Sequence, residues 1–452
     1  MRKKPSQESW LKVCAPIVRI MRKKVHLLRL FLGLALLAAL PRAFAGAGAC
    51  ESMQLTLAGA TWHMLENNPQ LDLARSTLAA SRADLLTAGE RPNPTLSFNS
   101  TNYNVRSGLG SGNAWDKRLD SVLRVDQPIE RGGKRGLRVA AANAGIAGAE
   151  ADYRDTLRQL RLAVSSAFYD LLHAQEKLDV DLKLAQLQRV TEALGQRRLA
   201  AGDIAESDLA RIRVESARAD SEVQSAEADV EAARIALAHL MGCTDGAIPL
   251  ADVEWPNPQA AADLANTPGN IETRPDVQSA DAHAKEAHAM SRLAEAQRTR
   301  DVTVGLQYEH FPPDGQSLLG VGFSVPLFLF NRYEGEIARA HADADSADAA
   351  ARQARSDAQA DVAQTRSALR HAAERAQRAL TDLLPLSEKT AVAMEYAYTH
   401  GAASLLDLLD ARRSLHAAHL ETLDAQTDYA KALMAWQIAE NLPENFAQDS
   451  TP

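Results

Sequence analysis

Hydrophobic positions along this chain follow two different periods. Ala- and Leu-rich stretches with helical spacing run over 52–90 and, without any proline, over 129–248. Between them, alternating β-type residues predict two strands at about 94–106 and 117–127. The first half of the chain is therefore predicted to run from a helix through a strand pair into long helices.

The second half repeats this plan after a Pro- and Asn-rich linker. A helical stretch over 275–300 precedes two alternating runs at about 301–311 and 317–327. A proline-free helical stretch over 331–384 follows, and helix is expected to resume after Pro385. Both halves of the chain are therefore predicted to have the same order: a helix, two strands and then long helices.

Both halves contain a glycine turn with the same surroundings. Gly202 is followed after six residues by Asp208, and Gly401 is followed after six residues by Asp407. The two glycines are 199 residues apart, and Pro128 and Pro326 are 198 apart. Landmarks that share one offset predict an internal duplication.

Each glycine is expected to end one helix of a hairpin. Gly202 and Gly401 can take the left-handed conformation that closes a helix. Asp203 or Ser404 can then accept the first free amides of the returning helix.

The strands predict contact with lipid. Strands of about 10 residues with one apolar face and one polar or small face have the length and pattern of bilayer-crossing strands, although a half-buried hairpin on a soluble domain has the same pattern. Four strands cannot close a barrel, so two chains with eight strands or three chains with twelve are required. Prolines are expected where strand gives way to helix, at Pro92, Pro94, Pro128 and Pro326.

The helices are too long for a compact core. Sixty-odd residues before Gly202 would span about 100 Å, so they must pack lengthwise on other helices. A seam with alternating spacings of three and four predicts coiled-coil packing after the second turn. Its members are Leu408, Ala411, Leu415, Ala418, Thr422, Ala425, Tyr429, Ala432 and Trp436.

The first 45 residues are typical of a secretory signal peptide. A basic cluster at Met21, an apolar run and Ala43-Phe44-Ala45 follow one another in the expected order. These residues hold ten of the 50 Lys and Arg and one of the 58 Asp and Glu, so the remainder carries a net charge of −17. An acidic product without a basic patch argues against a nucleic-acid partner.

The cysteines and histidines predict little chemistry. Cys50 and Cys243 lie far apart in sequence and are not expected to form a disulfide framework, and Cys50 is a candidate for lipidation at the mature N-terminus.

Of twelve histidines, the pairs His283/His288 and His416/His419 are read as solvated helix residues, so no metal site and no cofactor are predicted. The sequence shows no serine elbow, phosphate loop or Cys-x-x-Cys, so an enzyme is not expected.

The segments "QPIERGGKRGLR", "SVPLFLFNRYEGEIARA" and "LLDLLDARR" resemble the TolC-type outer-membrane efflux proteins. The resemblance covers nearly the whole chain after the signal peptide, and the first two segments are similar to the CzcC-like branch that serves heavy-metal efflux. It implies a mostly α protein with a small β part: a homotrimer, a shared twelve-stranded barrel in outer-membrane lipid and a periplasmic α-helical barrel. It also implies a passive duct whose partners are a periplasmic adaptor and an inner-membrane, proton-driven RND pump.

The resemblance implies roles for residues at the hairpin turns. Asp407 and Asp410 match positions that ring the periplasmic entrance, although acidic residues in a first helical turn are also favoured by the helix dipole. Tyr398 and Asp208 match gate positions that hydrogen-bond neighbouring hairpins, and Ala403 stands where an arginine completes that lock. Arg412 or Arg413 is the candidate to replace the arginine, and the residues around both turns are expected to dock the adaptor.

The predicted organisation is a signal peptide over 1–45, a first repeat over 46–250 with a helical hairpin over 131–242, a linker over 251–270, a second repeat over 271–442 with a hairpin over 332–441, and a tail over 443–452. Two other functions remain open: an export duct for drugs or proteins, and a periplasmic coiled-coil scaffold without a pore.

Overall fold

The computed structural model describes residues 55–101, 108, 119–243, 248–251, 255–260, 270–311 and 316–441. The signal peptide, Cys50 and the tail lie outside these residues. In chain order the elements are α1 (Leu57–Asn67), α2 (Pro69–Gly89), β1 (Thr95–Thr101), β2 (Asp120–Ile129), α3 (Lys134–Ala200), α4 (Glu206–Met241), α5 (Pro275–Ala296), β3 (Val302–Phe311), β4 (Gln316–Ser324), α6 (Glu334–Arg378), α7 (Leu384–Thr399) and α8 (Leu405–Ala439). Short 3₁₀ turns lie at Pro258–Ala260 and Ile271–Thr273. The predicted class, mostly α with a small β part, is confirmed.

The four strands form one antiparallel sheet in the order β1-β2-β3-β4. The central pair, β2 and β3, joins the two repeats, with Val125 opposite Leu306. The outer strands β1 and β4 each have one neighbour in the chain. The sheet therefore ends in two edges, one from each repeat.

The prolines lie close to the strand ends, with one difference from the sequence prediction. Pro94 directly precedes β1, and Pro326 follows the end of β4. Pro128 lies inside β2, opposite Thr303, rather than beyond the strand. Strand β1 pairs with β2 only as far as Asp126, so Pro128 lies where β2 has a single neighbour. A residue without an N–H is tolerated at such a position.

The long helices pack through the same seam in both repeats. In α8 the predicted seam is buried except at Leu415 and Ala432, which are half-buried. The buried positions of α4 lie 199 residues earlier and keep the same spacing: Leu209, Ile212, Ser216, Ala219, Val223, Ala226 and Val230. Small residues at many of these positions let the helices approach closely. None of the described helices is both long and apolar enough to cross a membrane.

The stretch before Pro385 does not end as the sequence predicts. Helix α6 passes at Ala379–Leu383 into one π-helical turn, and α7 continues directly from Leu384. Proline lacks the N–H that would close the local helical bond, and its ring clashes with the preceding turn. The π-helical turn just before Pro385 is wider than an α-helical turn, so it accommodates the proline ring and the missing N–H while the helix continues.

Cys243 follows the glycine that ends α4 and is disulfide-bonded. The sequence separation of the cysteines, from which no disulfide framework was expected, did not predict this bond. Cys243 is the one cysteine in the described part of the chain. Separation in sequence does not prevent two cysteines from meeting in a folded chain, and an oxidising compartment preserves the bond.

Candidate functional site

The two hairpin turns have the same backbone geometry. Gly202 and Gly401 have φ of 81° and 76°. In the first turn, Gly202 N donates to Leu199 O at 2.9 Å, and the next amide donates to Arg198 O. The second turn repeats both bonds one repeat later, from Gly401 and Ala402. This pair of bonds is the Schellman motif, which requires a left-handed residue and therefore favours glycine.

The residue that caps the returning helix differs between the repeats. Helix α8 is capped by Ser404, whose hydroxyl accepts from Asp407 N while the Asp407 carboxylate accepts from Ser404 N at 3.0 Å. Helix α4 is capped by Ala205, which offers no side-chain acceptor. Asp203 is not the cap, because the helix begins four residues after the glycine and the cap position falls on Ala205. The prediction for Ser404 is confirmed, and the prediction that Asp203 caps the helix is wrong.

Replacing Ser404 with Ala is expected to lower the free energy of unfolding of this hairpin by about 1 kcal/mol, since the hydroxyl that accepts from Asp407 N and donates to the Asp407 carboxylate is lost. Ala205→Ser is the matched change in the other repeat. It places a hydroxyl three residues before Asp208, as Ser404 stands before Asp407, and is expected to stabilise by a similar amount. Thermal unfolding of the two variants checks that Ser404→Ala destabilises the protein and that Ala205→Ser stabilises it. Equal effects of the two substitutions would contradict the capping account.

The acidic residues of the second turn are exposed. Asp407 and Asp410 both present their side chains to solvent. Hydrogen bonds from the Ser404 hydroxyl and backbone amide hold the pKa of Asp407 below its usual range. Asp407 therefore keeps its negative charge, and the cap fixes the position of that charge at the tip.

Tyr398 links the two hairpins, but through a partner that the sequence analysis missed. Its hydroxyl accepts a hydrogen bond from Arg198 Nη1 at 2.9 Å, and the Arg198 guanidinium lies 5.6 Å from the centre of the tyrosine ring. Within the described part of its own chain, the Asp208 carboxylate makes no hydrogen bond, so it is not the partner of Tyr398 there. Two adjacent arginines in the last turn before Gly202 are the only sequence signal for this contact.

Two further arginines tie the second repeat to the first. Arg412 is buried and donates to Thr191 Oγ1 on α3 at 2.8 Å and to Glu395 on α7 at 3.0 Å. Arg413 pairs with Glu215 on α4, and its hydrogen bond lowers the pKa of that carboxyl. Neither arginine donates a hydrogen bond to Tyr398. The arginine that pairs with Tyr398 is therefore Arg198, from the other hairpin.

The sheet carries apolar side chains in rows on one face. One row crosses all four strands and another runs beside it on the same face, each residue paired with the next. All eight of these side chains are exposed, and Leu319 is the most exposed at 79%. The rows are Leu96, Val125, Leu306 and Val321, and Phe98, Leu123, Tyr308 and Leu319. A continuous exposed apolar surface of this kind marks contact with lipid or protein.

The opposite face of the sheet is polar and crowded. Arg124 pairs with Asp126 at 2.8 Å and approaches Gln307 at 3.5 Å. A Cβ on Gly305 would lie 2.3 Å from the Asp126 carboxylate, so no other residue fits there without displacing this pair. The glycines of the second repeat therefore leave room for charged side chains from the first.

Comparison with known proteins agrees with this arrangement. The model of the family "Outer membrane efflux protein" matches residues 63–243 and 270–436. The cobalt-zinc-cadmium resistance protein CzcC of Cupriavidus metallidurans is 26% identical over 378 residues, which cover 82% of this chain and 86% of that protein.

Solved channel structures share the fold. The outer membrane protein VceC of Vibrio cholerae has a TM-score of 0.70 at 20% identity, covering 85% of this chain and 95% of that one. CusC, whose structures were solved to follow its folding and transmembrane channel formation, has a TM-score of 0.70 at 17% identity. The match covers 89% of this chain and 95% of CusC. The chain belongs to the outer membrane efflux protein family. The resemblance predicted from the sequence is confirmed.

Proposed function

We propose that three copies of this chain form an exit duct through the outer membrane, with twelve strands in a shared barrel. The apolar rows on one face of an open four-stranded sheet carry this proposal. In lipid, the unpaired backbone groups of the β1 and β4 edges would each cost several kcal/mol. Pairing β1 of one copy with β4 of the next removes both edges, and the polar face of Arg124 and Gln307 then lines the lumen.

The helices continue the duct into the periplasm. Both hairpin turns lie at the end of long helices that lead away from the sheet, so the turns form the periplasmic mouth. Asp407 and Asp410 of three chains supply six carboxylates there. A ring of negative charge raises the local concentration of cations and disfavours anions.

The link between hairpins acts as the gate. Three copies of the Arg198–Tyr398 hydrogen bond hold the first and second hairpins of each chain together. Asp208 is unbonded within the described part of its own chain and is assigned to contacts with the neighbouring copy. Separation of these hairpins widens the mouth.

The duct works with two partners and performs no catalysis. The turns around Gly202, Asp203, Gly401 and Ser404 are the docking sites for a periplasmic adaptor. Two similar tips per chain offer six in a trimer, so the adaptor meets a surface with near-sixfold repetition. An inner-membrane RND pump supplies the energy and most of the selection.

The cargo is a divalent heavy-metal cation of the cobalt, zinc, cadmium or nickel type. The match to a cobalt-zinc-cadmium resistance protein along most of both chains supports this choice, together with the acidic mouth. A deletion strain should become sensitive to these metals, with resistance restored by the wild-type gene. Sensitivity to detergents and dyes alone would favour drug export, and loss of a secreted protein would favour type I secretion.

A periplasmic scaffold without a pore is the remaining alternative. High-salt washing releases a peripheral scaffold from membranes, whereas a barrel stays with the outer-membrane fraction. We expect the protein to resist such washing and to migrate as a heat-modifiable trimer. Release into the wash would exclude the duct.

A further inference from the structure

Three helices bring two carboxylates and an imidazole together away from the hairpin tips. Asp181 on α3, Glu222 on α4 and His416 on α8 each place one donor atom within 4.8 Å of the others. Asp181 and Glu222 face each other across the first hairpin, and His416 comes from the second repeat. The cluster therefore lies where the return helix of one repeat packs on the hairpin of the other.

Asp181 is buried with an unsatisfied oxygen. The residue is 1% exposed, and its Oδ1 lies 2.7 Å from His416 Nε2. Its Oδ2 is also buried and has no hydrogen-bond partner. A buried carboxylate is costly unless its charge and both oxygens are satisfied. The imidazole partly meets this need, and the second oxygen remains available to another ligand.

A cavity of about 170 Å³ lies beside the cluster and is lined by Glu222, His416 and Gln188, among others. Gln188 is itself buried, and its Oε1 has no partner. The space is large enough for a metal ion with bound water, for which the amide oxygen is a ready acceptor.

The cations around the cavity are already paired. Arg218 and Arg413 also line it, and both form salt bridges with Glu215. Within the described residues, the Glu222 carboxylate makes no hydrogen bond and is exposed. The carboxylates of Asp181, which lies against His416, and of Glu222, at the edge of the cavity, therefore form no salt bridge with an arginine in the described part of the chain.

We propose that Asp181, Glu222 and His416 form a binding site for a first-row divalent cation of the zinc, cobalt or nickel type. An imidazole with two carboxylates suits these ions, whereas magnesium and calcium prefer oxygen donors alone. Three protein ligands leave one position for water. The ion takes the free Oδ2 of Asp181, and His416 binds it through Nε2 as the neutral tautomer that carries its proton on Nδ1.

A bound ion links the two repeats, because its ligands come from both. His416 belongs to the helix that returns from the second tip, and the carboxylates belong to both helices of the first hairpin. Occupancy therefore cross-links α8 to α3 and α4 inside the wall of the coiled coil. The sequence reading of His416 as a solvated helix histidine is wrong, because its ring is largely enclosed and bonded to a buried carboxylate.

Cobalt titration of the purified full-length protein tests the site, since tetrahedral Co²⁺ gives visible absorption bands. Millimolar Mg²⁺ in the buffer occupies carboxylates that bind any hard cation, including those at the mouth. We expect one strongly absorbing Co²⁺ per chain, displaced by Zn²⁺. Glu222→Gln should weaken binding by at least about tenfold, because one of three ligands is lost.

Glu227→Gln is the matched control, an exposed glutamate on the same helix outside the cluster. It should bind Co²⁺ like the wild type. Glu222 is exposed and unbonded, so its replacement leaves the fold intact, and His416→Gln provides a second variant that should remove the bands. Absence of the bands in the wild type, or equal binding by Glu222→Gln and Glu227→Gln, would overturn the proposal. The result is independent of export, because the titration measures binding and the deletion strain measures resistance.

Discussion

Leu319→Arg is expected to remove the protein from the outer membrane. Leu319 is the most exposed member of the apolar rows, near the middle of β4. An arginine on the lipid face near the bilayer centre costs about 2–4 kcal/mol, and a trimer carries three. The measurement is the amount of protein in the outer-membrane fraction compared with the periplasm.

Leu318→Arg is the control for this prediction. Leu318 is the adjacent residue on the opposite face of β4 and lies across from Glu309, which can pair with the new arginine. The control should reach the outer membrane in near-normal amounts. If the two substitutions reduced membrane insertion equally, the assignment of the faces to lipid and lumen would be wrong.

Loss of the Arg198–Tyr398 link is expected to open the channel. Arg198→Ala with Tyr398→Phe removes one hydrogen bond to a charged donor from each chain, worth about 1.5 kcal/mol at an exposed site. That corresponds to about tenfold in the ratio of closed to open hairpins per chain. Single-channel conductance in planar bilayers should rise, and cells should admit antibiotics that the outer membrane normally excludes.

Variants at Asp208 distinguish two ways in which the gate could be held closed. If Tyr398 acts through Arg198, conductance already rises in the double variant while Asp208 is intact, and adding Asp208→Ala raises it further only through loss of the contact with the neighbouring copy. If the rise appears only when Tyr398→Phe is combined with Asp208→Ala, the carboxylate is the partner across the hairpins and the contact with Arg198 is incidental. Conductance equal to the wild type in both combinations would remove Tyr398 from the gate.

Features that follow from period and conformation could be predicted from the sequence. The alternation of Val302 to Tyr308 assigns the faces of β3 because successive strand residues point to opposite sides. Gly202 and Gly401 could be placed because few other residues accept a left-handed helix end. The seam of α8 could be read because its spacing of three and four leaves one stripe for packing.

Contacts between distant helices could not be predicted. The partner of Tyr398 depends on how α3 and α7 are rotated about their axes, which periodicity alone does not fix. His416 and Asp181 are 235 residues apart, and their meeting depends on how α8 lies on the first hairpin. The prediction for Asp203 failed because both returning helices begin four residues after their glycine, which puts the cap position on Ala205 in the first repeat and on Ser404 in the second.

The central claim is that the working molecule is a hollow assembly of three chains. Protein extracted from outer membranes into detergent should be measured by native mass spectrometry, and the same sample should be tested for conductance in planar bilayers. The account predicts a particle of three chains that conducts ions and prefers cations. A particle of one chain that forms no conducting pore would contradict it.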